Sequence, residues 1–355
     1  MKTAKDFCLD YYKQKNLFKT ILSKMNKSLI ENIHPSFAND PRKDNILKGI
    51  REFVPTYSDD IRMENIFKDI LSNSNDELQL KLHNVFIATH YDADMQAFIQ
   101  EARGSYTGSI IFMSWGLTSA IIEYSVLLAM FYEYLSTDYS KKRKELEEVF
   151  LRRVNNIAKG QMYWRKYGFD GSSEHCLLFS EISDEVFKMH TLIFMETAKF
   201  VLCHELAHTI LGHLSNKKKA LSEYFTILFT DVLASTEKHQ IEFQADVFSL
   251  FLSAGAYREN KSTISVDFKF NIPQALGALL AFTIFGQQNA NMHEDSESHP
   301  SLEKRISILK NSLKALMSPD DLMFSKGLIN ALQRILYKTQ GLGLGKNISK
   351  EYDVI

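Results

Sequence analysis

The residues best placed to do chemistry lie in one short run, His204-Glu205-Leu206-Ala207-His208. Histidines four positions apart on a helix share one face, so both imidazoles can bind a single cation. Glu205 is set about 100° round the helix from His204. From there its carboxylate can take a proton from a metal-activated water without binding the metal itself. The spacing therefore predicts half of a zinc site with a general base beside it.

The alternative for this run is a helix that carries two solvent-exposed histidines and a glutamate with no metal. The flanking residues argue against that alternative, because they make the helix apolar nearly all round. The polar side chains would then be buried, and buried polar groups need partners such as a metal ion. The apolar positions are Val201, Leu202, Leu206, Ala207, Ile210 and Leu211.

A third ligand must come from elsewhere, because a catalytic zinc usually takes three protein ligands and keeps one position for water. Glu242 and Asp246 lie four positions apart in a later helical segment. One carboxylate could bind zinc while the other orients a ligand imidazole. An ordinary amphipathic helix with two solvated carboxylates remains the alternative. His213 is nearer, but it falls one residue short of the HExxHxxGxxH spacing, which indicates a helix-end residue.

The candidate ligands and the base must be positioned by helices. Ser183, followed by Asp184 and Glu185, is typical of a helix start, because the serine caps free amides and the carboxylates favour the positive helix end. The apolar pattern extends this helix to about Leu214. Further helices are expected over about 240–254 and 273–285.

The sequence also predicts a small antiparallel sheet of about three strands. Short runs rich in β-branched and aromatic residues occupy 84–89, 94–102 and 109–115, and turn-type clusters separate them. A buried helix over 117–135 should follow. Spaced apolar positions in residues 1–83 indicate short amphipathic helices. The predicted fold class is therefore α+β, predominantly helical.

HELAH followed by EFQAD resembles the motifs of the gluzincin peptidases. The closest resemblance is to the group that contains the CAAX prenyl protease and the HtpX-type heat-shock proteases. The resemblance implies that Glu242 is the third zinc ligand. The segment from His299-Pro300 to Arg305 is similar to the His-Pro motif of that group. By this resemblance His299 lies near the zinc and stabilises an oxyanion; taken alone, it is a helix-capping or surface histidine.

The resemblance implies a zincin-like catalytic domain over residues 84–317. A helical N-terminal region, 1–83, precedes it, and a C-terminal helical extension and tail, 318–355, follow. The implied function is that of an endopeptidase with one Zn²⁺ per chain and a protein or peptide substrate. We expect His204, His208 and Glu242 to hold the metal, Glu205 to act as the base and Asp246 to support a ligand imidazole.

Two other interpretations stay open. One is a catalytically silent sensor or interaction protein that retains zinc on a peptidase scaffold, which predicts a fourth protein ligand or an occluded cleft. The other is a regulated toxin or defence peptidase with the N-terminal helices as its recognition module.

The charge balance, the cysteine content and the apolar stretches of the sequence bear on its partners and its cellular compartment. The 42 basic residues nearly cancel the 43 acidic ones, so no overall field draws the chain to nucleic acid. Three scattered cysteines predict no disulfide framework, which favours a reducing, cytoplasmic setting. The apolar stretch Ser109–Leu135 is interrupted by Glu123 and Glu133, so a strand followed by a buried helix is expected there instead of a membrane span.

Overall fold

The computed structural model describes residues 2–14, 61–90, 96–136, 145–151, 153–154, 182–215, 237–256, 270–288, 295–296 and 299–340. Residues 15–60 of the predicted N-terminal region and 341–355 of the predicted tail lie outside these ranges. The described residues are mostly helical with small sheets, which confirms the predicted α+β class.

The secondary-structure elements are named in chain order. The helices are α1 (Ala4–Gln14), α2 (Ile61–Ser72), α3 (Asp76–Leu82), α4 (Trp115–Ser136), α5 (Asp184–Ile210), α6 (Glu237–Ser253), α7 (Ile272–Gln288), α8 (Leu302–Leu316) and α9 (Pro319–Gln340). The strands are β1 (Lys2–Thr3), β2 (Val85–His90), β3 (Ala97–Glu101), β4 (Tyr106–Thr107) and β5 (Ser109–Ser114). Residues 145–151 are also helical.

The three-stranded sheet has the order β2-β5-β3. Its strands fall where the apolar runs predicted them, but the sheet is mixed and not antiparallel throughout. The central strand β5 pairs antiparallel with β3 and parallel with β2. The purely antiparallel prediction was wrong because strand composition does not report which strands become neighbours. Residues 102–108 connect β3 to β5 as a hairpin, and β5 lies between β3 and β2.

Both faces of this sheet are covered. One face carries Ile111 and Met113 into the main core beneath α5. The opposite face carries Ile110 and Phe112 into a small cluster with Cys8 of α1. This packing explains why β5 is buried at every position and reads as a continuous apolar run. It also holds the edge strand β3 against α5.

Helix α5 is the centre of the fold. Ser183 caps it as predicted, and its hydroxyl oxygen accepts a hydrogen bond of 3.2 Å from the backbone N–H of Val186. The helix ends at Ile210, earlier than the predicted Leu214, because Gly212 adopts a left-handed conformation with φ 76°. His213 therefore lies in a separate 3₁₀ turn after the helix.

Three helices, α4, α6 and α7, pack around α5. The contact with α7 is close at Gly277, where an added Cβ would come 2.6 Å from the carbonyl carbon of Glu196. Only a residue without a side chain permits this approach. The close packing leaves α5 with apolar neighbours on most sides and makes any polar group on it dependent on local partners.

Elements from both ends of the described chain share this core. Met63 and Ile66 of α2 and Leu322 and Leu328 of α9 belong to the same apolar cluster as α5. The predicted boundaries at residues 83 and 317 remain predictions. Among the helices within the described ranges, none combines the length and the apolar run that a bilayer-spanning segment needs.

Candidate metal centre

The two histidines of the HELAH run face each other across one turn of α5. Their Nε2 atoms are 3.4 Å apart. The exposed fraction of each side chain is small, 13% for His204 and 12% for His208. Helix α5 thus holds two imidazole nitrogens toward one partly buried point.

Helix α6 brings a carboxylate to the same point. The two oxygens of Glu242 lie 3.6 Å from His204 Nε2 and 3.7 Å from His208 Nε2. One ligand atom from each of the three residues lies within 4.8 Å of the other two, so the group could hold a metal ion. Two ligand atoms at about 2.0–2.1 Å from one tetrahedral zinc are about 3.4 Å apart, so both the donor set and its spacing fit.

A buried ion pair lies behind the candidate ligands. Asp246 is fully buried, and its Oδ1 lies 3.0 Å from His204 Nδ1. Arg305 of α8 donates to both oxygens of Asp246, at 2.8 Å from Nε and 2.7 Å from Nη2. Its Nη1 lies 3.6 Å from Glu242, and its guanidinium stacks on Phe282 at 5.3 Å. Arg305 therefore places one positive charge against two buried carboxylates and fixes the orientation of the one beside His204.

The charges in this group are set by opposing effects. Burial would raise the pKa of both Glu242 and Asp246, but contacts with His204 and Arg305 hold both pKa values below their usual range. Burial would lower the pKa of His204, but its contacts with Asp246 and Glu242 raise that pKa to about 10. The pKa of His208 is not raised by a hydrogen bond to a carboxylate as that of His204 is, and burial lowers it to about 3. Without metal, His204 is thus the protonated member of the pair.

Glu205 is buried beside the site but contributes no atom to the ligand group. Burial is the largest influence on its carboxyl and raises its pKa to about 7, against the lowering effect of His204. The backbone N–H of Ile99 faces the Glu205 carboxylate and makes a smaller contribution that lowers its pKa. A carboxyl that titrates near neutral pH beside a metal site suits proton transfer.

The contact with Ile99 comes from an edge of the sheet. Even-numbered residues of β3 bond to β5, as shown by the 2.9 Å bonds at Gln96 and Ala102. Ile99 and its neighbours two positions away therefore direct their N–H and C=O groups outward. No strand within the described ranges pairs with this outer side of β3. The candidate ligand group and Glu205 thus lie beside the outer side of β3.

His213 does not join the ligand group. Its Nδ1 lies 3.1 Å from His208 Nδ1, the nitrogen that faces away from His204. Its Nε2 lies 3.2 Å from the Oε1 of Gln244 on α6. His213 therefore contacts the side of His208 that faces away from the candidate metal position.

His299 lies at the rim of the site. Its Nε2 is 3.8 Å from Glu242 Oε1, and 58% of its side chain is exposed. The segment before it is tied down at Ser296, whose carbonyl accepts a 2.9 Å hydrogen bond from His239 and whose hydroxyl accepts one of 2.8 Å from the His299 N–H. The structure thus brings His299 close to the other predicted site residues but leaves it more open to solvent.

Sequence reasoning assigned no role to Arg305, Ile99 or Gln244. Only Arg305 carried a signal, because it interrupts the apolar stripe of α8 between Leu302 and Leu309. A charge on a buried stripe predicts a buried partner. The backbone N–H of Ile99 and the amide of Gln244 have no equivalent signature.

A comparison with models of protein families shows the family to which the chain belongs, which the geometry of the site does not. The chain is detectably similar to no curated protein and to no solved structure. The resemblance to the CAAX prenyl protease and HtpX-type group therefore rests on its motifs. A model of the Peptidase U49 family, in contrast, matches residues 100–324, a range that includes the HELAH and EFQAD segments and Arg305. Because this match spans more than half of the chain, the chain belongs to the Peptidase U49 family, a family of peptidases.

Proposed function

We propose that the chain is a zinc-dependent endopeptidase of the gluzincin type with one Zn²⁺ held by His204, His208 and Glu242. The observation that carries the proposal is the meeting of α5 and α6, which aims two imidazoles and one carboxylate at a single point. Two histidines and one acidic residue are a ligand set of known catalytic zinc sites. The bound ion supplies positive charge that acidifies water and polarises a peptide carbonyl.

Glu205 is the general base in this proposal. Its carboxylate accepts a proton from the attacking water and then donates that proton to the leaving amine. The Ile99 N–H faces the carboxylate, and burial keeps the pKa of Glu205 near neutral so that both transfers are feasible. His299, at the rim, donates a hydrogen bond to the oxyanion.

The substrate is an extended segment of protein or peptide. The outer edge of β3 offers backbone groups to which such a segment can add as another strand. Because Ile99 belongs to this edge and contacts Glu205, a strand bound there passes next to the base. The interpretation as a cytoplasmic enzyme, without a prenylated or membrane-embedded substrate, belongs to the same proposal.

A silent zinc-containing sensor is the competing function. A structural zinc site needs four protein ligands, whereas three side chains converge within the described ranges. Glu205, buried beside the ligands and aimed by a backbone N–H, has a role only if proton transfer occurs. Both observations favour the enzyme.

Glu205→Gln separates the two functions. We expect the natural chain and the variant to contain one zinc each by metal analysis, because residue 205 is not a ligand. Proteome-wide cleavage mapping should detect cleaved peptide bonds only with the natural chain, and kcat/KM on a mapped site should fall at least about 100-fold in the variant. A variant that retains zinc and cleaves as fast as the natural chain would overturn the mechanism.

A further inference from the structure

A chain of two hydrogen bonds runs from the back of His208 to helix α6. His208 Nδ1 lies 3.1 Å from His213 Nδ1, and His213 Nε2 lies 3.2 Å from Gln244 Oε1. The imidazole rings of His208 and His213 are close, with centroids 5.1 Å apart, and steeply inclined at 67°. His213 reaches this position because the left-handed Gly212 ends α5 and turns the chain back.

The direction of each bond follows from the atoms present. A histidine that offers Nε2 to a metal carries its proton on Nδ1, so His208 donates to His213. Neutral His213 accepts at Nδ1 and therefore carries its own proton on Nε2, which donates to Gln244. An amide oxygen can only accept, so it closes the chain. The three groups thus favour the one His208 tautomer that leaves Nε2 free.

We propose that His213 and Gln244 are positioning residues that fix the tautomer and aim of His208, an inference that rests on the zinc site proposed above. Helix α6 then orients both ligand histidines of α5. Asp246 contacts the Nδ1 of His204 directly, and Gln244 reaches the Nδ1 of His208 through His213. The same helix also contributes the ligand Glu242. Groups that orient ligand imidazoles in this way raise metal affinity.

Zinc affinity of four variants tests this role. We expect Gln244→Met and His213→Phe each to raise the zinc dissociation constant about 10–100-fold, measured by competition with a chromophoric chelator. The double variant should bind zinc no more weakly than His213→Phe alone, because Gln244 acts only through His213. Gln244→Glu keeps an acceptor at the same place and should bind zinc at least as tightly as the natural chain.

A matched control separates positioning from a general loss of stability. Gln333 is buried, whereas Gln244 is partly buried, and Gln333 donates a 2.9 Å hydrogen bond to Thr283 far along the chain from the candidate ligands. Gln333→Met should lower the unfolding temperature without changing the zinc dissociation constant. The absorption spectrum of the Co²⁺-loaded protein should change in Gln244→Met and stay unchanged in Gln333→Met, because only the first alters a ligand's orientation.

The outcomes distinguish this inference from the proposed function. A natural chain that binds no zinc overturns the proposed zinc site and the positioning role with it. A natural chain that binds zinc, with Gln244→Met and His213→Phe binding it equally tightly, overturns the positioning role alone. Gln244→Met removes one of the two hydrogen bonds, and His213→Phe removes both. The zinc affinity of either variant that folds therefore tests the positioning role.

Discussion

Arg305 and Asp246 lie 59 positions apart in the chain and form a two-pronged ion pair, at 2.7 and 2.8 Å, directly behind His204. Both side chains are largely removed from water, with exposed fractions of 13% and 0%. The pair joins α8 to α6, and so ties the segment that carries His299 to the helix that carries Glu242. Its contribution to the fold and its contribution to the site can be measured separately.

Removing Arg305 should destabilise the metal-free chain strongly. Arg305→Met leaves the buried Asp246 carboxylate with His204 but without the guanidinium, and removal of one partner from a buried ion pair costs about 3–5 kcal/mol in the free energy of unfolding. Urea unfolding measures this. The neighbouring Lys304 pairs with Asp295 at the surface, so Lys304→Met is the control and should change the free energy of unfolding little. Equal stability of the two variants would contradict the role given to the buried pair.

Zinc binding should strengthen as pH rises. The raised pKa of His204, about 10, means that the metal must displace a proton from that ring at neutral pH. His208, with a pKa of about 3, has none to lose. We expect the logarithm of the association constant to rise by about one for each pH unit between about pH 6 and 8.

Asp246→Asn is the control for this slope. Asp246 is the partner that raises the pKa of His204 most, so its loss should make the zinc affinity less dependent on pH. Chelator competition at several pH values measures both proteins. A natural chain whose zinc affinity is independent of pH would rule out a protonated His204.

Stability should fall in mild acid because of His190, which lies away from the metal centre. Burial, with smaller effects of Arg153 and Arg62, lowers its pKa to about 4 from an ordinary value of 6.5. The unfolded chain therefore binds the proton more readily, and the stability from neutral His190 is complete above about pH 6.5 and is lost as pH falls toward 4. The loss is at most about 1.4 kcal/mol per pH unit.

Substitution by glutamine tests the His190 assignment. Ser125 contacts His190 at 2.8 Å, and a glutamine can keep a polar contact there without titrating. The difference in unfolding free energy between the natural chain and His190→Gln should shrink or reverse in favour of the variant from pH 7 to about pH 5. Parallel pH profiles for the two proteins would show that His190 does not cause the acid sensitivity.

Gly277→Ala should destabilise the contact between α5 and α7. The new methyl group would lie 2.6–2.8 Å from atoms of Glu196 and Thr197, too close without a shift of one helix. Overpacking of this kind costs about 1–3 kcal/mol. The same change at Gly327, where an added Cβ meets no atom within 4 Å, should instead stabilise α9 by about 0.5–1 kcal/mol. Thermal unfolding of both variants compares them, and a shift of the same sign in both would contradict this packing argument.

The elements that sequence predicted well are those with a local physical cause. Ser183 lies next to the backbone N–H groups that it caps, and the strands are recognisable because β-branched and aromatic residues are concentrated in them. The predicted end of α5 was too late because the apolar pattern continues past Gly212. The sequence pattern did not show that this glycine adopts a left-handed backbone conformation. The parallel pairing of β2 with β5 was missed because it depends on which strands become neighbours.

By itself the sequence determined the helix with two histidines one turn apart and the glutamate between them, because helical geometry converts spacing into direction. It also indicated that this helix is buried. Only the tertiary structure decided that Glu242, Arg305, Gln244 and the backbone of Ile99 meet around those histidines. Periodicity reports which face of an element avoids water, but the residues that this face meets depend on how distant elements pack together.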